Sequence, residues 1–238
     1  MNFSLTTAKQ GLKDGIPIGL GYLSVSFTFG LMAANQHLSV PEAVIISMTN
    51  LTSAGQFAGL DIISSSGSFA EMALTQLIIN IRYALMSLSL SQKLDKSFTT
   101  PHRLITAFGI TDEIFAVASS KDKLINKKYM YALILIPFLG WSLGTLAGAA
   151  AGGILPARLK SALGIAIYGM FLAIIIPPSK KSRGVLAAVI ISSLISCLTY
   201  YLTNISSGFS IIICAVAAAA AAALFMPVNN DEKEEETK

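Results

Sequence analysis

Charge is scarce in this sequence. Only 13% of its 238 residues are Asp, Glu, Lys or Arg, while 53% are hydrophobic, and the mean hydropathy is +0.66. A chain of that composition cannot cover itself with a water-solvated surface, which excludes an ordinary soluble globule. Histidine is nearly missing too. His37 and His102 are the two in the chain, both expected in loops, and no His-Glu-x-x-His pattern occurs. Chemistry that needs a histidine base or a metal centre lacks its residues, so neither an enzyme activity nor a cofactor is expected. Cys197 and Cys214 lie in separate apolar runs without metal-ligand spacing, and read as packing residues. A Gly-x-x-x-x-Gly-Lys-Ser/Thr loop is missing as well, so energy coupling falls to an ion gradient and not to ATP. The formal charge of +4 comes without a basic stripe interleaved with aromatics, which leaves nucleic acid out as a partner.

What the sequence does have is eight apolar runs, at 16–34, 43–64, 70–90, 104–118, 131–152, 162–176, 185–202 and 210–226. At roughly 20 residues per crossing, they predict an all-α polytopic membrane protein of six to eight helical segments. One transmembrane domain covers 16–226, preceded by a cytoplasmic segment 1–15 and followed by an acidic tail, 227–238, which lacks apolar anchors and is expected to be disordered. The first run follows Lys9 and Lys13 like a signal peptide, but it has no small-residue cleavage site and further spans follow, so retention is expected.

Two runs are interrupted. The second carries Thr49-Asn50-Leu51-Thr52-Ser53-Ala54-Gly55-Gln56 at its middle and then Asp61; the fourth is short and holds Thr111-Asp112-Glu113. Each charge at mid-membrane depth costs about 2.5–3.5 kcal/mol on insertion scales, so these segments must face protein or water. Both read as broken helices. Positive charge clusters at Lys9 and Lys13, at Lys93, Lys96 and Arg103, at Lys121, Lys123, Lys127 and Lys128, and at Lys180, Lys181 and Arg183. The positive-inside rule wants all four in the cytoplasm. Eight full crossings would put the 93–103 loop outside, whereas making the second and fourth runs re-entrant returns every cluster to the inside. The expectation is six spans plus two re-entrant hairpins, in the cell membrane, with both termini cytoplasmic.

Ile16-Pro17 through Gly21-Tyr22 is weakly similar to Ile136-Pro137 through Gly140-Trp141. An internal duplication accounts for this, as in many transporters; so does the ordinary recurrence of Gly, Pro and aromatics in membrane helices. Gly140, Gly144, Gly148 and Gly152 line one helix face with hydrogen atoms, which reads as close helix packing or as a sliding interface.

Asn80-Ile81-Arg82-Tyr83 sits midway along an apolar run, where a guanidinium needs an anionic partner. That partner is Asp112, Glu113 or Asp61 in a structural pair, or a substrate carboxylate gripped by the guanidinium fork. Asp112 and Glu113 are adjacent, so on a helix they point about 100° apart and only one is expected to face a small cavity. That one is the candidate for a coupling proton; the plainer alternative is an interfacial acid in contact with water. Gln56, Ser53 and Thr52 in the second-run break offer hydrogen bonds either to a zwitterion or to neighbouring helices.

The ordered set Gly15-Ile16-Pro17 with Gly21-Tyr22, Ser53-Ala54-Gly55-Gln56-Phe57, Asn80-Ile81-Arg82-Tyr83 with Met86-Ser87-Leu88-Ser89-Leu90, and Thr111-Asp112-Glu113-Ile114-Phe115-Ala116 resembles the AzlC family. Trp141 with Gly144-Thr145 and Gly148 extends the resemblance to about Pro156. The family's break has Gly then Ser before the Gln, whereas here Ser53 precedes and Gly55 follows. The resemblance implies the large subunit of an exporter of leucine, isoleucine, valine and analogues such as methionine, working with a small AzlD-like membrane subunit; the ion-gradient coupling and intramembrane acids read above make it a secondary, proton-motive-force-dependent one. On that reading Arg82 would hold the substrate carboxylate and Asp112 or Glu113 the ammonium or the proton. Gln56 and Asn80, with Tyr83 beside them, would complete the binding set. The competing readings are a membrane scaffold, in which Arg82 and Asp112 only fix helix register, and a channel.

Overall fold

The computed structural model describes residues 7–152, 154–156, 158, 169, 172, 175–180 and 182–225. Nine helices have defined bounds there: α1 Ala8–Asn35, α2 Val40–Thr49, α3 Ser53–Ser64, α4 Phe69–Ser91, α5 Thr100–Phe108, α6 Asp112–Ser119, α7 Lys127–Gly152, α8 Arg183–Leu202 and α9 Ser207–Phe225. Five of them, α1, α4, α7, α8 and α9, are long and apolar enough to cross a membrane. The fold is an all-α polytopic membrane protein, as expected. The 162–176 run and the acidic tail lie largely or wholly outside the described residues.

Local chemistry sets the helix starts. Thr7 accepts from the Gln10 amide at the head of α1, and Ser39 with Glu42 forms a reciprocal capping box ahead of α2. Thr111 accepts from the Ile114 amide at α6, and Ser182 from Val185 at α8. Both interrupted runs are broken, at residues 50–52 between α2 and α3 and at 109–111 between α5 and α6. His102, expected in a loop, sits in the first turn of α5, because Pro101 is tolerated there and starts the helix early.

The chain divides into two compact units, residues 1–60 with 79–167, and residues 61–78 with 168–238. At the centre of the first, α1 and α7 lie side by side and parallel. A Cβ on Gly11 would meet the Tyr129 carbonyl at 2.4 Å, one on Gly140 the Gly19 carbonyl at 2.3 Å, one on Gly148 the Phe27 carbonyl at 2.0 Å, and one on Gly152 the Ala34 Cβ at 2.4 Å. Gly30 fits equally tightly against Thr145, 2.3 Å from its carbonyl. The glycine face of α7 is therefore a packing surface that brings two backbones together. Both helices hold an internal proline, Pro17 and Pro137.

One end of this unit gathers the basic residues. Lys121 pairs with Asp14 in the second turn of α1 at 2.8 Å. Lys93, just past α4, donates to the carbonyls of Ser119, the last residue of α6, and Lys121 beyond it, and Leu94 forms an isolated bridge with Ile125. Lys127 at the start of α7 reaches His102 at 2.9 Å. The end of α4, the start of α5, the end of α6 and the starts of α7 and α1 thus share one level. It follows that α5 and α6 enter and leave at the same end, which makes the fourth run a re-entrant hairpin. Ile110, Ile114 and Ala118 of that hairpin are buried with Leu90, Met130 and Leu133 in a common core. At the opposite end α2 follows directly from α1, and its Ser47 lies 2.7 Å from Thr145 of α7.

In the second unit α8 and α9 form an antiparallel pair with Thr199 2.6 Å from Ser210. Glu71, in the first turn of α4, is buried and accepts from the Ser206 hydroxyl at 2.5 Å and the Gly208 amide at 3.1 Å at the head of α9.

Candidate functional site

The two breaks meet. Tyr22 lies eight residues beyond Asp14 along α1, about 12 Å deeper at 1.5 Å per residue, and its hydroxyl reaches Thr111 Oγ1 at 2.6 Å and the Glu113 carboxylate. The N-terminus of α6 is therefore carried to mid-depth by its hairpin. From α4, the Tyr83 hydroxyl donates to Thr52 at 3.3 Å, and Thr52 donates to the Asn80 side-chain carbonyl at 2.8 Å. These contacts tie the second break to the same level. Tyr22, Leu51, Ser53, Tyr83, Thr111, Asp112, Glu113 and Trp141 line a small cavity there. It has room for about one water molecule.

Its electrostatics come from helix ends as well as side chains. Ser53 opens α3 and Asp112 opens α6, so two helix N-termini, each carrying about half a positive charge, border one cavity. Broken helices use this arrangement to hold an anionic group. Arg82 adds a full positive charge: its Nη1 lies 2.7 Å from Asp112 Oδ2, its Nη2 donates to Tyr83 at 3.3 Å, and its Cζ stands 5.0 Å from the Tyr83 ring centroid. Asp112 and Glu113 supply compensating negative charge. The site is amphoteric, with cationic and anionic groups a few ångströms apart.

The predicted residues divide into two groups. Arg82, Tyr83, Asp112 and Glu113 converge on the cavity or its rim, and Asn80 is joined to it through Thr52. Asp61 is not the partner that Arg82 takes. The expectation that only one of Asp112 and Glu113 would face the cavity is corrected: both line it, because α6 meets the cavity end-on and its first two side chains splay to either side, one to α4 and one to α1. Gln56 lies behind the lining. It is 2% exposed, accepts from the Trp141 indole at 2.8 Å and donates to Ser47 at 3.2 Å. Gly140, Gly144, Gly148 and Gly152 pack on α1, away from the cavity lining.

Sequence reasoning missed Tyr22, Leu51, Thr111 and Trp141 as lining residues. Thr111 carried the clearest signal, since a threonine directly before two acids reads as a helix cap. Tyr22 and Trp141 occupy matching places in the two similar proline-containing segments, and edge-to-face contact joins them at 5.2 Å between ring centroids.

Residues 17–155 match the profile of the family described as AzlC protein. An uncharacterised membrane protein of Archaeoglobus fulgidus is 34% identical over 72% of this chain and 76% of its own. The inner membrane protein YgaZ of Escherichia coli is 27% identical over 75% of this chain and 76% of its own, and an uncharacterised membrane protein of Helicobacter pylori 28% over 64% and 67%. No solved structure matches. The matched region contains both breaks and every cavity-lining residue.

Proposed function

The chain belongs to the AzlC family, a membrane family of transporter type, and we propose that it is the large subunit of a secondary exporter of leucine, isoleucine, valine and close analogues, driven by the proton motive force. The observation that carries this reading is the amphoteric cavity at which two half-helix N-termini and Arg82 meet Asp112 and Glu113. A zwitterion needs this pairing of fields: the helix ends and guanidinium favour its carboxylate, and the two acids favour its ammonium. Asp112 or Glu113 carries the coupling proton, and Tyr83 and Asn80 complete the polar wall. The basic end faces the cytoplasm of a cell membrane, which puts the N-terminus inside.

The ion pair supports a second subunit. The Arg82 and Asp112 side chains remain 42% and 41% exposed, although they sit near the middle of the bundle, where lipid does not tolerate them. Water or another protein must cover that side, and a small AzlD-like membrane partner suits the place.

The test is the intracellular content of leucine, isoleucine, valine and methionine in cells lacking this protein, fed with peptides containing them, with and without its expression beside a small partner. Lower accumulation of any of the four supports the exporter; unchanged levels with the protein folded in the membrane refute it. The direct Arg82–Asp112 bond favours one alternative, a scaffold in which the pair fixes helix register. Exchanging the two residues, Arg82→Asp with Asp112→Arg, separates the readings: a scaffold keeps its function, a carrier loses transport.

A further inference from the structure

Resting on the exporter reading, we propose that Trp141, locked in place by Gln56, sets the size of side chain the carrier accepts, so that Gln56 is a positioning residue and not a substrate ligand. Of the eight lining residues, Tyr22, Ser53, Tyr83, Thr111, Asp112 and Glu113 present hydroxyl or carboxylate groups. Leu51 and the indole of Trp141 are the apolar remainder. A bound amino acid has its charged groups drawn to the polar side, which leaves its aliphatic chain to the corner between Leu51 and Trp141. Both are almost fully buried, at 5% and 2% exposure, so the side chains that form the corner are packed against the protein and do not yield freely to a bulky chain.

The indole is held by a chain of buried hydrogen bonds whose direction is fixed by chemistry. An indole N–H can only donate. It therefore takes the Gln56 carbonyl, at 2.8 Å, which forces the Gln56 amide nitrogen toward Ser47, at 3.2 Å. Ser47, accepting there, is free to donate to Thr145 at 2.7 Å. Gln56, Ser47 and Thr145 are 2%, 0% and 0% exposed, and Thr145 returns to α7 one turn beyond Trp141. The loop of contacts closes on the helix it started from. Tyr22 adds an edge-to-face ring contact with the indole. A large aromatic ring pinned at its N–H and against a second ring is a rigid wall, and a rigid wall discriminates by size.

Trp141 is also the single tryptophan of the chain, so its fluorescence reports on this wall alone. The experiment compares export from cells carrying the full chain as wild type, Trp141→Phe, Leu51→Ala, Gln56→Leu and Gln56→Glu, offered valine, leucine, methionine and phenylalanine. Emission spectra of the purified wild type and Gln56 variants are recorded alongside. Trp141→Phe and Leu51→Ala are expected to raise the export of phenylalanine relative to valine by roughly ten-fold or more, the scale at which a pocket reads a methylene. Gln56→Leu does the same through the loosened indole and shifts its emission, while Gln56→Glu, which keeps the acceptor, restores both. If the inserted variants lower export of all four amino acids in proportion, the assignment is overturned and the exporter reading stands. If the wild type exports none of the four, the exporter reading falls and takes the assignment with it.

Discussion

The parallel contact of α1 and α7 can be broken by one methyl group. In Gly148→Ala the new Cβ would stand 2.0 Å from the Phe27 carbonyl oxygen and 2.8 Å from its carbon, against an ordinary contact of 3.4 Å or more. Nothing flexible lies in the way, because the obstructing atoms are backbone, so the helices must separate locally by about 1.4 Å. A gap of 0.5–1 Å already forfeits a quarter to a half of the dispersion energy of each contact it opens, and Gly144 and Thr145 lie on the same seam. Overpacking of this kind costs about 1–3 kcal/mol, from which up to about 1 kcal/mol of improved helix propensity is recovered. Gly21→Ala is the control: it sits on α1 with nothing within 4 Å of its Cβ, so only the propensity gain remains. The two variants should differ by about 2 kcal/mol, or roughly 4–8 °C in melting temperature for a chain of this size. The assay is thermal unfolding of the purified full chain in detergent, followed by circular dichroism. If Gly148→Ala is as stable as Gly21→Ala, the two backbones do not touch and the side-by-side arrangement is wrong.

The mid-depth charges give the next test: Arg82→Ala and Asp112→Asn should each abolish amino acid export while inserting normally, and full export by both variants would remove the pair from the mechanism. Thr111→Val removes the hydroxyl that caps α6 and touches Tyr22; it should lower stability by about 1 kcal/mol and slow export, read by melting temperature and by initial rates. Glu71→Leu strands the Ser206 hydroxyl and the Gly208 amide, at about 1–3 kcal/mol for each orphaned donor, whereas Glu71→Gln keeps an acceptor and should melt close to wild type. At the head of α2 the Glu42 carboxyl is held below its ordinary value by hydrogen bonds from the Ser39 hydroxyl and amide. A depressed carboxyl contributes above its ordinary value of 4.5 and loses that contribution as pH falls through the lowered one. The protection factors of amides in the first turn of α2 should accordingly fall as pH drops below the ordinary value of 4.5, and in Ser39→Ala they should be low at every pH.

Much of this architecture was legible before any coordinates. Polar residues inside apolar runs marked both breaks, and an arginine midway along its apolar run marked α4 as needing an anionic partner. The parallel glycine seam was legible on one side only. Gly140 to Gly152 drew notice for their four-residue spacing, while Gly11, Gly15 and Gly19, spaced the same way on α1, did not, although a close backbone approach needs small residues on both partners. What could not be read was which elements converge. Tyr22, Tyr83, Glu113 and Trp141 come from four different helices and Leu51 from the break between α2 and α3, and their meeting depends on contacts between distant residues, such as Lys93 reaching the carbonyls at the end of α6, that no local pattern encodes. The misjudged pair Asp112–Glu113 shows the geometry behind this. Adjacent side chains diverge when a helix lies alongside a cavity, and the 100° rule then allows one of them in. A re-entrant hairpin presents its helix by the tip, so the first two side chains border the same space from opposite sides, together with the positive end of the helix dipole. Breaking a helix in mid-membrane thus places two acids and a helix N-terminus on one small cavity, which a continuous helix of the same sequence could not do.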